Sequence, residues 1–222
     1  MLDIYKPIYD LEREIAKYAG AKYCVAVNSC TAALLIAIRY SMWGSGRIRY
    51  LDVLPSVRMP KKTYVGVAQS IINANCKIEF DDYEWEGYYF LFNTPVVDSA
   101  RYFTSGMYKN IQNDADWYQQ DWSIGPMVCC SFHATKILGD TQGGVILHDN
   151  PQADELLRKM RFDGRTDGVA PKNDDFTVGY HCMMTPDVAV RLLHKLTVLP
   201  KHNDPLPNDD YPDLSQFEVF NG

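Results

Sequence analysis

The stretch KYCVAVNSCTAALLIAIRYSM, residues 22–42, decides the fold class. Cys24 to Val27 form a short apolar run of the kind that pairs into a sheet. The chain then turns through Asn28 and Ser29 into an alanine- and leucine-rich segment with strong helical propensity. Upstream, DLEREIAKYAG (residues 10–20) has apolar positions at helical spacing and ends on Gly20, which suits a C-cap. Downstream the alternation continues. Strand-like VRMP (57–60) precedes a predicted helix over 63–75, and KIEF (77–80), PVVDSA (95–100), MVCCSF (127–132) and GGVILHD (143–149) read as further strands. Two more helices are expected, PQADELLRKMRF (151–162), with a proline at its start, and TPDVAVRLLHKLTVL (185–199). Short apolar strands separated by helices predict an α/β protein with a largely parallel sheet.

Two regions lack this pattern. The polar, aromatic stretch between Gly106 and Gly125 is expected to be a loop. The segment from Pro200 carries four prolines and many acids, so residues 200–222 are expected to be extended along a surface or disordered, leaving 1–199 as one domain.

Composition narrows the function. The 222 residues are 46% hydrophobic and 23% charged, with a formal net charge of −6 and no lysine or arginine stripe, which argues against nucleic acid and anionic membranes as partners. No apolar run reaches the roughly 18–20 residues needed to cross a bilayer. Six cysteines lie mostly in apolar runs with no metal-type spacing, and the N-terminus has no leader pattern. A cytoplasmic protein with reduced thiols and no bound metal is expected.

Three constellations carry possible chemistry. Asn28 to Ala33 sit at a strand-to-helix turn, where unpaired N–H groups and the helix dipole favour a phosphate; plain capping by Ser29 or Thr31 is the other reading. Asp98 ends an apolar strand, where open α/β sheets place ligands and where a carboxylate can keep a pyridine nitrogen protonated; a surface or capping acid is equally compatible. The third is SFHATK, residues 131–136, followed by Gln142-Gly143-Gly144. A lysine there is ordinarily a solvated charge, and becomes a Schiff-base former only if its amine is deprotonated by desolvation or a neighbouring cation. His133, taken alone, is as readily structural as catalytic. The order of the three, all at ends of alternating elements, argues for one site.

In this order the motifs resemble the DegT/DnrJ/EryC1/StrS family, pyridoxal-phosphate-dependent aminotransferases of sugar biosynthesis with the type I, aspartate-aminotransferase-like fold. NSCTAAL (28–34) is similar to the family's Asn-Ser-Gly-Thr-x-Ala-Leu turn, with Cys30 in place of glycine. PKKTY (60–64) matches the element whose aromatic ring stacks on the cofactor, here Tyr64. VDSAR (97–101) matches Glu-Asp-x-Ala-[His/Gln], with Arg101 replacing the last residue, and SFHATK matches Ser-Phe-[His/Tyr]-x-x-Lys.

The resemblance implies the large domain of that fold, a three-layer sandwich around a mostly parallel sheet. It also implies pyridoxal 5'-phosphate held as an aldimine on Lys136. Asp98 would contact the pyridine nitrogen, with Ala100 beside it, and Ser29, Cys30, Thr31 and Ser131 would hold the phosphate. His133 would touch the cofactor or position Lys136. VGYHCMM (178–184) resembles Gly-Tyr-Asn-x-Arg-Met, whose asparagine reaches across a dimer interface. His181 stands at that asparagine and Met183 at the arginine.

Relative to the family, residues 81–95 are shortened and the small C-terminal domain is missing. The implied reaction is amino transfer from glutamate or glutamine to a keto-sugar nucleotide by a homodimer with composite sites. Other pyridoxal-phosphate sugar chemistry, such as dehydration, and a non-catalytic scaffold of the same fold are the rival readings.

Overall fold

The structure, a computed structural model, describes residues 4–44, 54–117 and 125–221. Helix α1 (Lys6–Ala19) forms because Ile8, Leu11, Ile15 and Ala19 recur at helical spacing and are fully buried, and it stops at Gly20, whose positive φ of 84° lets its N–H reach the Ala16 carbonyl. Strand β1 (Tyr23–Val27) runs into α2 (Cys30–Trp43) through the Asn28-Ser29 turn. There follow β2 (Ser56–Pro60), α3 (Val65–Asn73), β3 (Lys77–Asp81), β4 (Tyr89–Phe90) and β5 (Val96–Asp98). The described chain continues with α4 (Met107–Trp117), β6 (Met127–Ser131), β7 (Gly144–His148), α5 (Pro151–Met160) and α6 (Pro186–Val198).

The strands alternate between two cores, which is why they read as unbroken apolar runs. Val25, Val27, Cys129 and Ile146 face α2, α3 and α5; Cys24, Ala26, Val128, Cys130, Val145 and Leu147 face α1, α4 and α6. The result is the expected three-layer α/β arrangement. Glu12 ties β1 and α5 to α1: buried on α1, it accepts from Ala26 N at 2.7 Å and from Arg158 Nη1 at 2.6 Å, and it pairs with the buried Arg161 just past α5. All six cysteines are buried, and none is in a disulfide.

The expectation of a mostly parallel sheet is corrected in its pairings. The main sheet has the order β1-β7-β6-β5-β4, and of its four pairings only β5 with β6 is parallel. Strand β7 causes this: it runs backwards between β1 and β6 and so makes both of its pairings antiparallel, while β4 closes a hairpin on β5. Strands β1, β5 and β6 nevertheless share one direction, and that is what matters for the site. Strands β2 and β3 pair in parallel as a separate ribbon, joined to the β4 hairpin through reciprocal hydrogen bonds between Arg58 and Phe92.

The loop expected between Gly106 and Gly125 is also corrected. Met107 to Trp117 are helical, with Met107, Tyr108 and Ile111 buried against the second core; residues 118–124 lie outside the described residues. From Pro200 the chain runs back across the molecule. Leu206 N donates to the Arg101 carbonyl at 2.8 Å, Leu214 N to the Lys61 carbonyl at 2.8 Å, and the Leu214 and Phe220 side chains are buried in the first core.

Candidate active site

Because β1, β5 and β6 run the same way, the segments that follow them emerge at one edge of the sheet. The turn at Asn28–Thr31, the segment Asp98–Arg101 and the segment Ser131–Lys136 therefore converge on a cavity of about 370 Å³, joined by Thr63 and Tyr64 just past β2. Ligand sites of α/β sheets sit at such strand ends.

Ser29 caps α2, its Oγ accepting from Ala32 N at 3.1 Å, and Cys30 and Thr31 line the cavity at the first turn of that helix. The Gly143-Gly144 pair explains how β7 approaches so closely. A Cβ on Gly144 would lie 2.5 Å from the Ser29 carbonyl carbon and 2.6 Å from Cys30 N. The buried Cys30 thiol is pushed well above its ordinary value by burial and then by the nearby Asp98 charge, so it stays protonated and is no nucleophile.

Asp98 is buried and held at both oxygens: Oδ1 accepts from Ala100 N at 2.9 Å and Oδ2 from the Tyr89 hydroxyl at 2.8 Å. The Tyr89 hydroxyl in turn contacts Thr63 Oγ1 at 2.7 Å. Burial raises the Asp98 carboxyl above its ordinary value, while these hydrogen bonds and the Lys136 charge pull the other way. Burial pushes the Tyr89 phenol far up, which keeps it a hydrogen-bond donor.

Lys136 lines the same cavity. Its amine is pushed below the ordinary lysine value, first by burial and then by the charge of Arg101, against the pull of Asp98. A lowered lysine with a buried carboxylate nearby is the pairing that Schiff-base chemistry needs. Lys136 N donates to the His133 carbonyl at 2.8 Å, and the exposed His133 ring lies at the rim with Nδ1 3.3 Å from Thr135 Oγ1. Tyr64 stands at the head of α3 with its side chain open to solvent.

The structure thus brings Ser29, Cys30, Thr31, Tyr64, Asp98, Ala100, Ser131, His133 and Lys136 to one cavity. His181 is not on that wall. It is exposed and its Nδ1 lies 3.0 Å from Asp163 Oδ2. Sequence reasoning missed Tyr89, Trp85, Asp209 and Tyr211. Tyr89 supports Asp98 from behind, and the other three line the cavity. Tyr89 lies in the aromatic run YYFLF (88–92), which shows no alternation, and a proline-rich acidic tail offers no signal for Asp209 and Tyr211. Among the described residues no group of three or more His, Cys, Asp or Glu is placed to hold a metal, and no helix is long and apolar enough to cross a membrane.

The model of the DegT/DnrJ/EryC1/StrS aminotransferase family matches residues 1–90 and 118–204. The chain is 25% identical over 192 residues to the spore coat polysaccharide biosynthesis protein SpsC of Bacillus subtilis, covering 71% of this chain and 46% of that protein. It is 20% identical over 218 residues to the UDP-4-amino-4,6-dideoxy-N-acetyl-beta-L-altrosamine transaminase of Campylobacter jejuni, covering 84% of this chain and 55% of that one. The chain therefore spans about half the length of these curated relatives. Among solved structures, a DegT DnrJ EryC1 StrS aminotransferase from Brucella abortus superposes with a TM-score of 0.63 at 18% identity, over 87% of this chain and 58% of that one. PseC of Helicobacter pylori, an aminotransferase involved in pseudoaminic acid biosynthesis, gives 0.64 at 14% identity over 86% and 57%. At those identities the structural likeness establishes the fold.

Proposed function

Since the chain belongs to the DegT/DnrJ/EryC1/StrS aminotransferase family, we propose that it binds pyridoxal 5'-phosphate in the Lys136 cavity and transfers an amino group from glutamate or glutamine to a keto-sugar nucleotide. The observation that carries this is the pairing of a buried, doubly hydrogen-bonded Asp98 with a lysine whose amine is driven toward neutrality, in one cavity at the head of α2. A carboxylate that burial makes costly is stabilised by a cationic ring nitrogen, and free N–H groups at a helix start suit a phosphate. The residues therefore fit this cofactor. When bound, it supplies an electron-withdrawing ring conjugated to the reacting carbon.

The chain's own groups do the rest. Asp98 keeps the ring nitrogen protonated, and Tyr89 fixes its carboxylate in place. The N–H groups at the start of α2, with the Ser29, Thr31 and Ser131 hydroxyls, take the phosphate. Tyr64 offers its open ring as a stacking surface. Lys136 Nζ would hold the cofactor and, when a donor amine occupies that position, would serve as the base that takes the proton from the donor's α-carbon. His133, whose carbonyl holds the Lys136 N–H, shapes the turn that presents that lysine. The mouth of the cavity is open in a single chain, and a second copy covering it makes the working unit a homodimer. A monomer by light scattering at micromolar concentration, with cofactor retained, contradicts that last point.

The deciding experiment is visible absorbance of the protein with pyridoxal phosphate, before and after borohydride, against Lys136→Ala. A band fixed by reduction and lost in the variant is expected. No band at saturating cofactor rejects the enzyme reading.

A further inference from the structure

Arg101 follows Asp98 by three residues, and its surroundings suggest a use for it. It lines the cavity together with Asp98 and Lys136, and it is buried. A buried guanidinium must keep an anion. Here the anion is the carboxylate of Asp209, from the segment that crosses back after α6. Arg101 Nη1 donates to Asp209 Oδ2 at 2.7 Å and Nη2 to Oδ1 at 3.4 Å, a two-point approach of a carboxylate to the fork. The Tyr211 hydroxyl lies 3.2 Å from Nη1, the Pro207 carbonyl accepts from Nη2, and Nε is buried with no hydrogen-bond partner.

The pair is asymmetric. The Arg101 side chain is 9% exposed and that of Asp209 67%, so the carboxylate can return to water at little cost while the guanidinium cannot. Resting on the aminotransferase reading above, we propose that Arg101 is the receptor for the α-carboxylate of the amino donor, and that Asp209 holds its place until the donor arrives. An amino acid whose nitrogen goes to the Lys136 position needs a fixed cation beside it for its carboxylate. Among the cavity residues Lys136 is committed to the cofactor and His133 lies at the rim. The Arg101 charge already reaches the Lys136 amine and lowers it, so the two groups lie within electrostatic range of one bound molecule. The exchange is local. Leu206 on one side and Leu214 on the other remain tied to the Arg101 and Lys61 carbonyls, so only the few residues around Asp209 need to move.

The test is calorimetric titration of the cofactor-loaded protein with α-methyl-L-glutamate or α-methyl-L-glutamine, which keep the amine and carboxylate but have no α-hydrogen, and with the decarboxylated counterpart of whichever binds. Wild type should prefer the carboxylated probe. Arg101→Gln should weaken that probe by at least about tenfold, as expected for a lost charge-assisted fork, and erase the preference. Asp209→Asn, on an exposed segment, should tighten the probe by roughly threefold or more through loss of the internal competitor. In the double variant the Asp209→Asn gain should vanish.

Unchanged preference in Arg101→Gln, weaker or unchanged binding in Asp209→Asn, or no binding of either probe by wild type that shows the Lys136-dependent band, overturns the proposal and leaves the cofactor reading standing. Absence of that band in wild type overturns both.

Discussion

Asp98 shows how a site residue costs the fold that carries it. Its carboxyl is buried and pushed above its ordinary value by desolvation, with the Ala100 N–H and the Tyr89 hydroxyl compensating in part. For an acid raised in the folded state, its contribution to stability is fully present below its unfolded value, near 3.8, and is lost as pH rises through the folded value. At neutral pH, above the unfolded value, the burial of this carboxyl therefore works against the folded, cofactor-free protein. Asp98→Asn keeps an acceptor for Ala100 N–H and removes the charge. It should raise the melting temperature of the cofactor-free protein at pH 7 by roughly 2–4 °C, the equivalent of about 1 kcal/mol in a chain of this size, and the gain should disappear near pH 3. The same variant should lose the cofactor band. A melting temperature at or below wild type at pH 7 removes the argument. That Asp98 mattered was legible from its place at a strand end, but its stabiliser was not. Tyr89 lies in the shortened segment on a two-residue strand, too short for alternation to announce.

The loop between β6 and β7 must hold Lys136 still, and an ionic clamp from α6 does so. Asp140 accepts from Lys195 Nζ at 2.9 Å and from Arg191 Nε at 2.8 Å, while Asp140 N donates to the Phe132 carbonyl at 2.9 Å. Burial pushes the Asp140 carboxyl up, but the hydrogen bonds from Lys195 and Arg191 outweigh it and bring it down to about 2. A depressed acid contributes above its unfolded value and loses that contribution as pH falls through the folded one. Both cations are half exposed, so solvent screens the clamp and about 1 kcal/mol is the reasonable scale. Asp140→Asn should lower the urea midpoint at pH 7, with the gap from wild type closing between about pH 4 and about pH 2. A gap that persists at pH 2 means the loss is one of packing rather than charge. The clamp's helix and the β6 and β7 strands were readable from apolar runs. Helix α4 was not, because Met107, Tyr108 and Ile111 turn inward among the polar Lys109, Asn110, Gln112, Asn113 and Asp114 and make too short an apolar pattern. The reversed β7 was hidden for a different reason, since strand direction leaves no mark on an apolar run buried on both faces.

At the scale of the whole molecule, residues 200–221 complete a cavity built by the rest of the chain. Composition places them outside the core, and most of their side chains do face water. Their apolar anchoring is sparse and non-periodic: Leu214 and Phe220 enter the first core and the Tyr211 ring stacks 6.1 Å from Trp85, while the hydrogen bonds of Leu206, Leu214 and Arg101 described above, and that of Asn203 Nδ2 to the Tyr18 hydroxyl at 3.0 Å, supply the rest. Two buried apolar residues in a proline-rich stretch give no pattern to read, so Asp209 and Tyr211 could reach the site unannounced. The same sparseness sets how the segment should fail. Leu214→Ala removes a side chain that is 1% exposed, a change that costs about 2–5 kcal/mol where the surroundings cannot relax. A strap with so few apolar anchors can relax by letting go. The loss should then appear as local release, with faster proteolysis around residues 203–213 and lower amide protection there, while the melting of the α/β body falls by less than the full cost. Cofactor binding should persist, because none of the phosphate or ring contacts proposed above comes from the strap. Global destabilisation of the full size with no change in local protection means instead that strap and body fold as one unit, and that the edge of the sheet is not closed until the strap lies across it.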